Sequence, residues 1–233
     1  MARAACPQRE ELVIEIGPGR GALTAKLLQR AERVLAIETD AWLVEYLHRK
    51  FAGQEHLTIL HQDVLRADLA EWGPAVIAGN LPYYITSPIL EKVVRLNFRR
   101  AVFLLQKEVA ERLVAAPGGR NYGYLTVHIG LRAQPRWLFL VKPSAFYPAP
   151  RVDSAGVLFE PRALPSHIND PDGFLQFVAQ CFRHKRKTIR NNLSETYGQE
   201  EISGWPEAGR RAEELSVEEF AVMYRRLAEP ARA

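Results

Sequence analysis

The sequence predicts an α/β protein, a mostly parallel sheet covered by helices, followed by a small all-helical C-terminal domain. Three observations carry that reading. Short apolar, β-branched runs alternate with helical patterns from Leu12 to Ala115, the rhythm of βαβ units. The first four runs lead at their carboxyl ends into Gly17, Glu38, Asp63 and Asn80. Near Pro161 the composition shifts, and beyond the polar stretch 165–172 only helical periodicity remains.

Taken in order, residues 12–16 read as the first strand and Gly17-Pro18-Gly19-Arg20-Gly21 as a tight loop. Residues 22–30 then read as a helix through Leu23, Leu27 and Leu28. Residues 34–37 are the second strand, and residues 41–51 a helix with Leu43 and Leu47 on one face. Strands follow at 57–60, 76–78 and 101–105, and a helix at 108–115. Residues 122–131 fit a helix or a strand, with the helix preferred. Residues 135–141 and 152–159 are closing strands. The Pro-rich stretch between them, 143–150, is expected to be a stiff, non-helical loop. Residues 173–182, 185–193 and 217–227 are helical in pattern, and Ser216 with Glu219 makes a capping box before the last. A boundary near residues 162–170 gives domains of residues 1–165 and 166–233.

Composition narrows the class. A chain of 233 residues buries a substantial core without staples, and 47% hydrophobic with 25% charged residues is ordinary for a globular protein. No apolar run approaches the roughly 20 residues of a bilayer span, and the N-terminus has no signal-peptide core. A cytoplasmic protein with no membrane partner is expected. Cys6 and Cys181 have no metal-ligand spacing, so no metal site and no disulfide is expected. Cys6 reads as a flexible thiol and Cys181 as a small buried side chain. The net charge of +4 permits a nucleic-acid partner.

The most specific motif is Asn80-Leu81-Pro82-Tyr83, directly after the apolar run Ala75-Val76-Ile77-Ala78-Gly79. An amide oxygen accepts from an exocyclic amine, Pro82 stiffens the turn, and the Tyr83 ring offers a face on which a flipped-out base can stack. Asn and Pro are also ordinary turn residues. Gly17 and Gly19 let backbone approach a ligand, Glu38 can accept both hydroxyls of a ribose, and Asp63 can accept from an adenine amine. Singly each is also a plausible loop or cap residue. Together they form a crevice at the carboxyl edge of a parallel sheet, where α/β folds bind ligands.

These residues carry a resemblance. The motifs Glu15-Ile-Gly-Pro-Gly19 with Gly21, Glu38, Gln62-Asp63, Asn80-Leu-Pro-Tyr83, Leu105-Gln-Lys-Glu108, Ser144-Ala-Phe-Tyr-Pro148 and Val152-Asp-Ser154 resemble class I S-adenosylmethionine-dependent methyltransferases. More narrowly, they resemble the ribosomal RNA adenine N6-dimethyltransferases. The resemblance implies a Rossmann-like class I methyltransferase sheet with helices on both faces. It implies S-adenosyl-L-methionine as cofactor, contacted by Gly17, Gly19, Gly21, Glu38, Asp63 and Asn80. Asn80, Leu81 and Tyr83 would shape the base pocket and Phe146 would close it, although Phe146 can also be read as core.

One subfamily dimethylates two adjacent adenines near the 3′ end of small-subunit (16S) ribosomal RNA. Another methylates large-subunit RNA and confers macrolide resistance. The run from Arg183 to Leu193 resembles the basic helix of the first, so small-subunit RNA and the immature small subunit are the expected partners, met by a monomer. Arg183, Lys185, Arg186, Lys187 and Arg190 are the expected RNA contacts. Arg183, Arg186, Lys187 and Arg190 share one face if the run is helical; a charge run is also an ordinary solvated surface. A non-catalytic assembly factor is the alternative from another class, and a DNA adenine methyltransferase fits less well. Family members usually carry a Gln-(Asn/His)-Phe-Leu lid before the first strand. None precedes Leu12 here, so weaker cofactor affinity and low activity are expected.

Overall fold

The computed structural model describes residues 1–165 and 168–228. It divides into two compact units: Met1–Ala110 with Ala133–Pro161, and Glu111–Arg132 with the described residues from Arg162 on. The expected boundary at 165/166 abuts Ser166 and His167, which lie outside the described residues, as do 229–233.

The first unit is a seven-stranded sheet in the order β3-β2-β1-β4-β5-β7-β6. Its strands are β1 (Glu10–Ile16), β2 (Ala31–Glu38), β3 (Leu57–His61), β4 (Ala75–Asn80), β5 (Phe98–Gln106), β6 (Ala133–Val141) and β7 (Ser154–Pro161). The first five pair in parallel; β7 runs antiparallel to β5 and to β6. The continuous apolar runs of β1, β2, β4 and β5 are buried, as strands covered on both faces require. Connections from β1 lead outward through β2 to β3 on one side, and β4 to β5 lie on the other. The β1–β4 seam is therefore the switch point where open α/β sheets open a crevice at their carboxyl ends.

Helices α1 (Ala2–Ala5), α2 (Thr24–Leu27), α3 (Ala41–Lys50) and α4 (Thr86–Val93) belong to this unit, and α5 (Lys107–Leu113) follows β5. Helix α2 is shorter than the predicted 22–30. Gly19 and Gly21 hold positive φ before it, and Arg30 N–H closes back on the Leu27 carbonyl at 2.8 Å. The Pro-rich stretch contains one 3-10 turn, Pro143–Ala145, where no helix was expected. Proline suits a first helical position, and the chain leaves the turn extended at Phe146.

Cys6 is not a flexible thiol. It is fully buried with Ala2 and Ala5 against Val13, Val76, Ala78 and Val102, because an alanine-rich turn can lie flat on the sheet. Burial pushes its thiol pKa up to about 11.

The second unit is helical: α6 (Tyr124–Gly130), α7 (Pro171–Cys181), α8 (Ile189–Tyr197), α9 (Gln199–Ser203) and α10 (Val217–Ala228). Its core joins Tyr122, Val127 and Leu131 to Phe174, Phe177, Cys181, Leu193 and Phe220. Residues 111–132 were expected in the first domain; burial of these side chains places them in the second. The predicted capping box is formed, with Ser216 N–H donating to Glu219 Oε2 at 2.7 Å and Glu219 N–H donating to Ser216 Oγ at 3.1 Å. No helix among the described residues is long and apolar enough to cross a membrane. No cluster of potential metal ligands occurs among them.

Candidate active site

Gly17, Glu38, Asp63 and Asn80 all come to the carboxyl edge of β1 to β4. The register brings Ile16 level with Ile37 and Gly79, and Glu38 level with His61. Gly79 allows this closeness at the switch point. A Cβ there would sit 2.5 Å from the Ile16 carbonyl oxygen. Gly17 faces the end of β4, where its own Cβ would be 3.7 Å from the Asn80 carbonyl oxygen.

The glycine loop is fastened to Glu38. Gly19 N–H donates to Glu38 Oε2 at 3.1 Å, while Thr39 and Asp40 N–H groups donate to Oε1 at 2.9 and 3.1 Å. Gly19 has φ +56°, which disfavours any side chain, and a Cβ would project into open space. Gly21 differs from its expected role. It is buried beneath Phe51, whose ring lies 2.5 Å from where a Cβ would be, so its missing side chain serves packing.

Asp63 Oδ1 accepts from Leu65 N–H at 2.9 Å, its Oδ2 lies 4.0 Å from the exposed Arg66 Nε, and its side chain remains 43% exposed. Asn80 is exposed at the end of β4, and its carboxamide makes no hydrogen bond to the described protein. Leu81 N–H donates to the Leu104 carbonyl at 3.2 Å, but the Leu81 carbonyl accepts nothing from the described residues. Pro82 O accepts from the Thr86 hydroxyl at 3.1 Å, which ties the turn to α4.

Tyr83 is half-buried, and its phenol shares a 2.7 Å hydrogen bond with the buried Ser154 hydroxyl at the start of β7. Phe146 is half-buried after the 3-10 turn. Tyr83 and Phe146 are not in ring contact with each other among the described residues.

Glu15, which the sequence presents only as a member of the glycine motif, carries more than that. It is 1% exposed, and among the described residues neither its Oε2 nor the hydroxyl of buried Thr24 has a hydrogen-bond partner. Desolvation pushes its pKa up to about 7, with Glu38 adding to the rise and Thr24 nearby opposing it. The visible signal is an acid inside an apolar strand. These observations fit S-adenosyl-L-methionine: a side-chain-free cradle, orphaned polar atoms beneath it, and acceptors suited to hydroxyls and amines.

The basic run differs from its predicted form. Arg183, Lys185, Arg186 and Lys187 lie in a non-helical turn, and only Arg190 is on a helix. The cause is Asn192, which is buried. Its Nδ2 donates to the Cys181 carbonyl at 2.8 Å and the His184 carbonyl at 3.3 Å, and its Oδ1 accepts from His184 N–H at 3.1 Å. Helix α8 then starts at the Thr188 cap. Arg183 pairs with Glu195 at 3.1 Å, and Lys185 reaches the Arg120 carbonyl at 3.4 Å. Arg186, Lys187 and Arg190 are exposed and form no ion pair among the described residues.

The comparisons with known proteins agree with this arrangement. Residues 2–229 match the family described as ribosomal RNA adenine dimethylase. The ribosomal RNA small subunit methyltransferase A of Acidobacterium capsulatum is 42% identical over 92% of this chain and 81% of its own. That of Desulfitobacterium hafniense is 41% identical over 94% and 83%. Among solved structures, a dimethyladenosine transferase from Plasmodium falciparum superposes with a TM-score of 0.83 at 25% identity, covering 97% of this chain and 94% of that one. The 23S rRNA methyltransferase ErmE superposes with a TM-score of 0.73 at 27% identity, covering 98% and 96%. With its glycine cradle, acidic strand ends and Asn-Leu-Pro-Tyr turn on one sheet edge, the chain belongs to the ribosomal RNA adenine dimethylase family.

Proposed function

We propose that this chain uses S-adenosyl-L-methionine to dimethylate N6 of two adjacent adenines near the 3′ end of small-subunit (16S) ribosomal RNA. It would work in the cytoplasm as a monomer on an immature small subunit. The observation that carries the reading is the pair of unspent acceptors at the switch point, the Asn80 carboxamide oxygen and the Leu81 carbonyl. The choice of small-subunit RNA is supported by the relatives at 41–42% identity, against 27% for the large-subunit enzyme.

The Gly17–Gly19 backbone, Glu38 and Asp63 would hold the cofactor, which supplies an electrophilic methyl group on a sulfonium when bound. An adenine amine is a poor nucleophile because its lone pair is delocalised into the ring. Asn80 Oδ1 and the Leu81 carbonyl accept its two N–H hydrogens. This favours a tetrahedral nitrogen with its lone pair free, and stabilises the positive charge that develops there. Tyr83 supports the extruded base by stacking, worth about 1–3 kcal/mol. Phe146 closes the pocket from its own loop. The amine proton is shed to water. After one transfer a single N–H and a methyl remain, so the second transfer requires rotation of the amine and room for the first methyl. Arg186, Lys187 and Arg190 neutralise RNA phosphates.

The test is labelled methyl transfer to under-methylated small subunits, with large-subunit RNA offered in parallel. Transfer of two methyl groups per adenine to the small subunit is expected. Labelling of large-subunit RNA alone would overturn the reading.

A further inference from the structure

Helix α3 carries an aromatic ladder that the site above does not use. Trp42 is 55% exposed and stacks on Tyr46 with ring centroids 5.7 Å apart and planes 15° from parallel. Lys50 continues the ladder one turn further, its Nζ 5.7 Å from the Tyr46 centroid and 5.3 Å from that of Phe51. The ammonium is fixed there by donating to the Arg20 carbonyl at 2.6 Å. The helix meets the sheet through Leu47, which is fully buried, so Trp42 is not needed by the core.

We infer that the outer face of Trp42 is a docking platform for an unpaired nucleobase of the substrate RNA, outside the Asn80 pocket. A lone exposed apolar side chain is ordinary. A pre-aligned pair of rings backed by a fixed cation is a base-stacking surface, because stacking needs a rigid π-face and tolerates any base. The chemistry around it narrows the occupant. The N-terminus of α3 is already occupied by Asp40, whose carboxylate accepts from Trp42 and Leu43 N–H at 2.8 and 3.1 Å, so this end offers a ring rather than an anion site. Arg49 and Lys50, further along the helix beyond Tyr46, and Arg20, whose carbonyl holds Lys50, are exposed and suit phosphates of the strand leading away from a stacked base, with Asp40 and Glu45 the opposing acids. The platform also joins the crevice through short links, since Asp40 N–H donates to Glu38 Oε1. A nucleotide held at Trp42 would therefore lie on the Glu38 side of the crevice, with β1 between the Glu38 strand and the one carrying Asn80.

The inference rests on the RNA-methyltransferase reading, and the test separates the two. Full-length protein, Trp42→Ala and Trp42→Phe are compared for binding of a fluorescent transcript of the small-subunit RNA 3′ end, with a fully duplexed transcript as control. Cofactor affinity is measured alongside. Trp42→Ala should weaken single-strand-containing transcript binding roughly 5- to 100-fold and Trp42→Phe much less, with duplex binding and cofactor affinity unchanged. Wild-type Trp fluorescence should be quenched by the transcript, and that quenching should shrink in Trp42→Ala. Equal transcript affinity in Trp42→Ala would overturn the inference alone. Loss of cofactor affinity would assign the ring to the cofactor instead, and equal weakening on both RNAs would make it a shape or charge effect; either result overturns it. A wild-type protein that binds no transcript would overturn the platform, while the methyl-transfer reading is decided separately by labelling of under-methylated small subunits.

Discussion

The phenol oxygen of Tyr83 and the hydroxyl of Ser154 lie 2.7 Å apart, joining the turn after β4 to the first residue of β7. Ser154 is fully buried, so removing the Tyr83 hydroxyl leaves a buried polar group unsatisfied. Tyr83→Phe keeps the stacking ring but releases its anchor. It should lower kcat several-fold and stability by about 1–2 kcal/mol. Ser154→Ala should do the same, and the double variant should be little worse than either, because both substitutions break the same bond. Fully additive effects in a double-mutant cycle would show that this bond does not position the ring.

Asn80→Ala should nearly abolish methyl transfer while leaving the melting temperature unchanged, because its carboxamide makes no hydrogen bond among the described residues. Near-normal turnover by the variant in the labelled assay would refute the proposed acceptor role.

Glu15 gives a pH dependence. Its pKa rises from an ordinary 4.5 in the unfolded chain to about 7 when folded. As pH rises, the unfolded chain loses its proton first while the folded protein retains it. Stability therefore falls across pH 4.5 to 7 and levels off above, by about 3 kcal/mol at most. Glu15→Gln removes that ionisation. Its denaturant midpoint relative to wild type should climb over the same window, and two parallel curves would show that Glu15 is not the titrating group.

The basic turn separates charge from scaffold. Arg186→Ala with Arg190→Ala should weaken RNA binding and reduce the salt slope by about 0.7–0.9 for each phosphate no longer neutralised. Asn192→Ala changes no charge, yet should cost about 2–4 kcal/mol of stability by abandoning buried carbonyls, and should weaken RNA binding by loosening the turn. An unchanged salt slope in the double arginine variant would exclude these side chains as phosphate ligands.

Much of this architecture was legible in the sequence. Buried parallel strands are largely apolar runs, and Gly17, Glu38, Asp63 and Asn80 stand out because each ends or closely follows such a run; Glu15 and Gly79, inside their strands, are the exceptions. The basic turn was not legible. Charge spacing of i, i+3, i+4 and i+7 arises in any dense string of cations, and the cue that overrode it was a single amide, Asn192, folding back on the backbone of Cys181 and His184. Nor was the burial of Cys6, since a four-residue alanine-rich helix has too few turns to show a face. Glu15 could be seen as an acid among apolar neighbours, but its isolation depends on side chains distant in sequence. The Tyr83–Ser154 bond spans 71 residues and leaves no local trace.

The assignment of residues 111–132 to the helical unit makes that unit something other than a detachable tail. The chain passes between units at 110/111, 132/133 and 161/162, so each unit is discontinuous. During synthesis the sheet waits for β6 and β7 before its edge is complete. Tyr122, Val127 and Leu131 emerge well before Phe174, Phe177 and Phe220 exist to cover them. A truncation after Pro161 would leave that greasy segment bare, and the product should aggregate rather than survive as a minimal enzyme. A functional split of this protein would have to reroute the polypeptide, not shorten it.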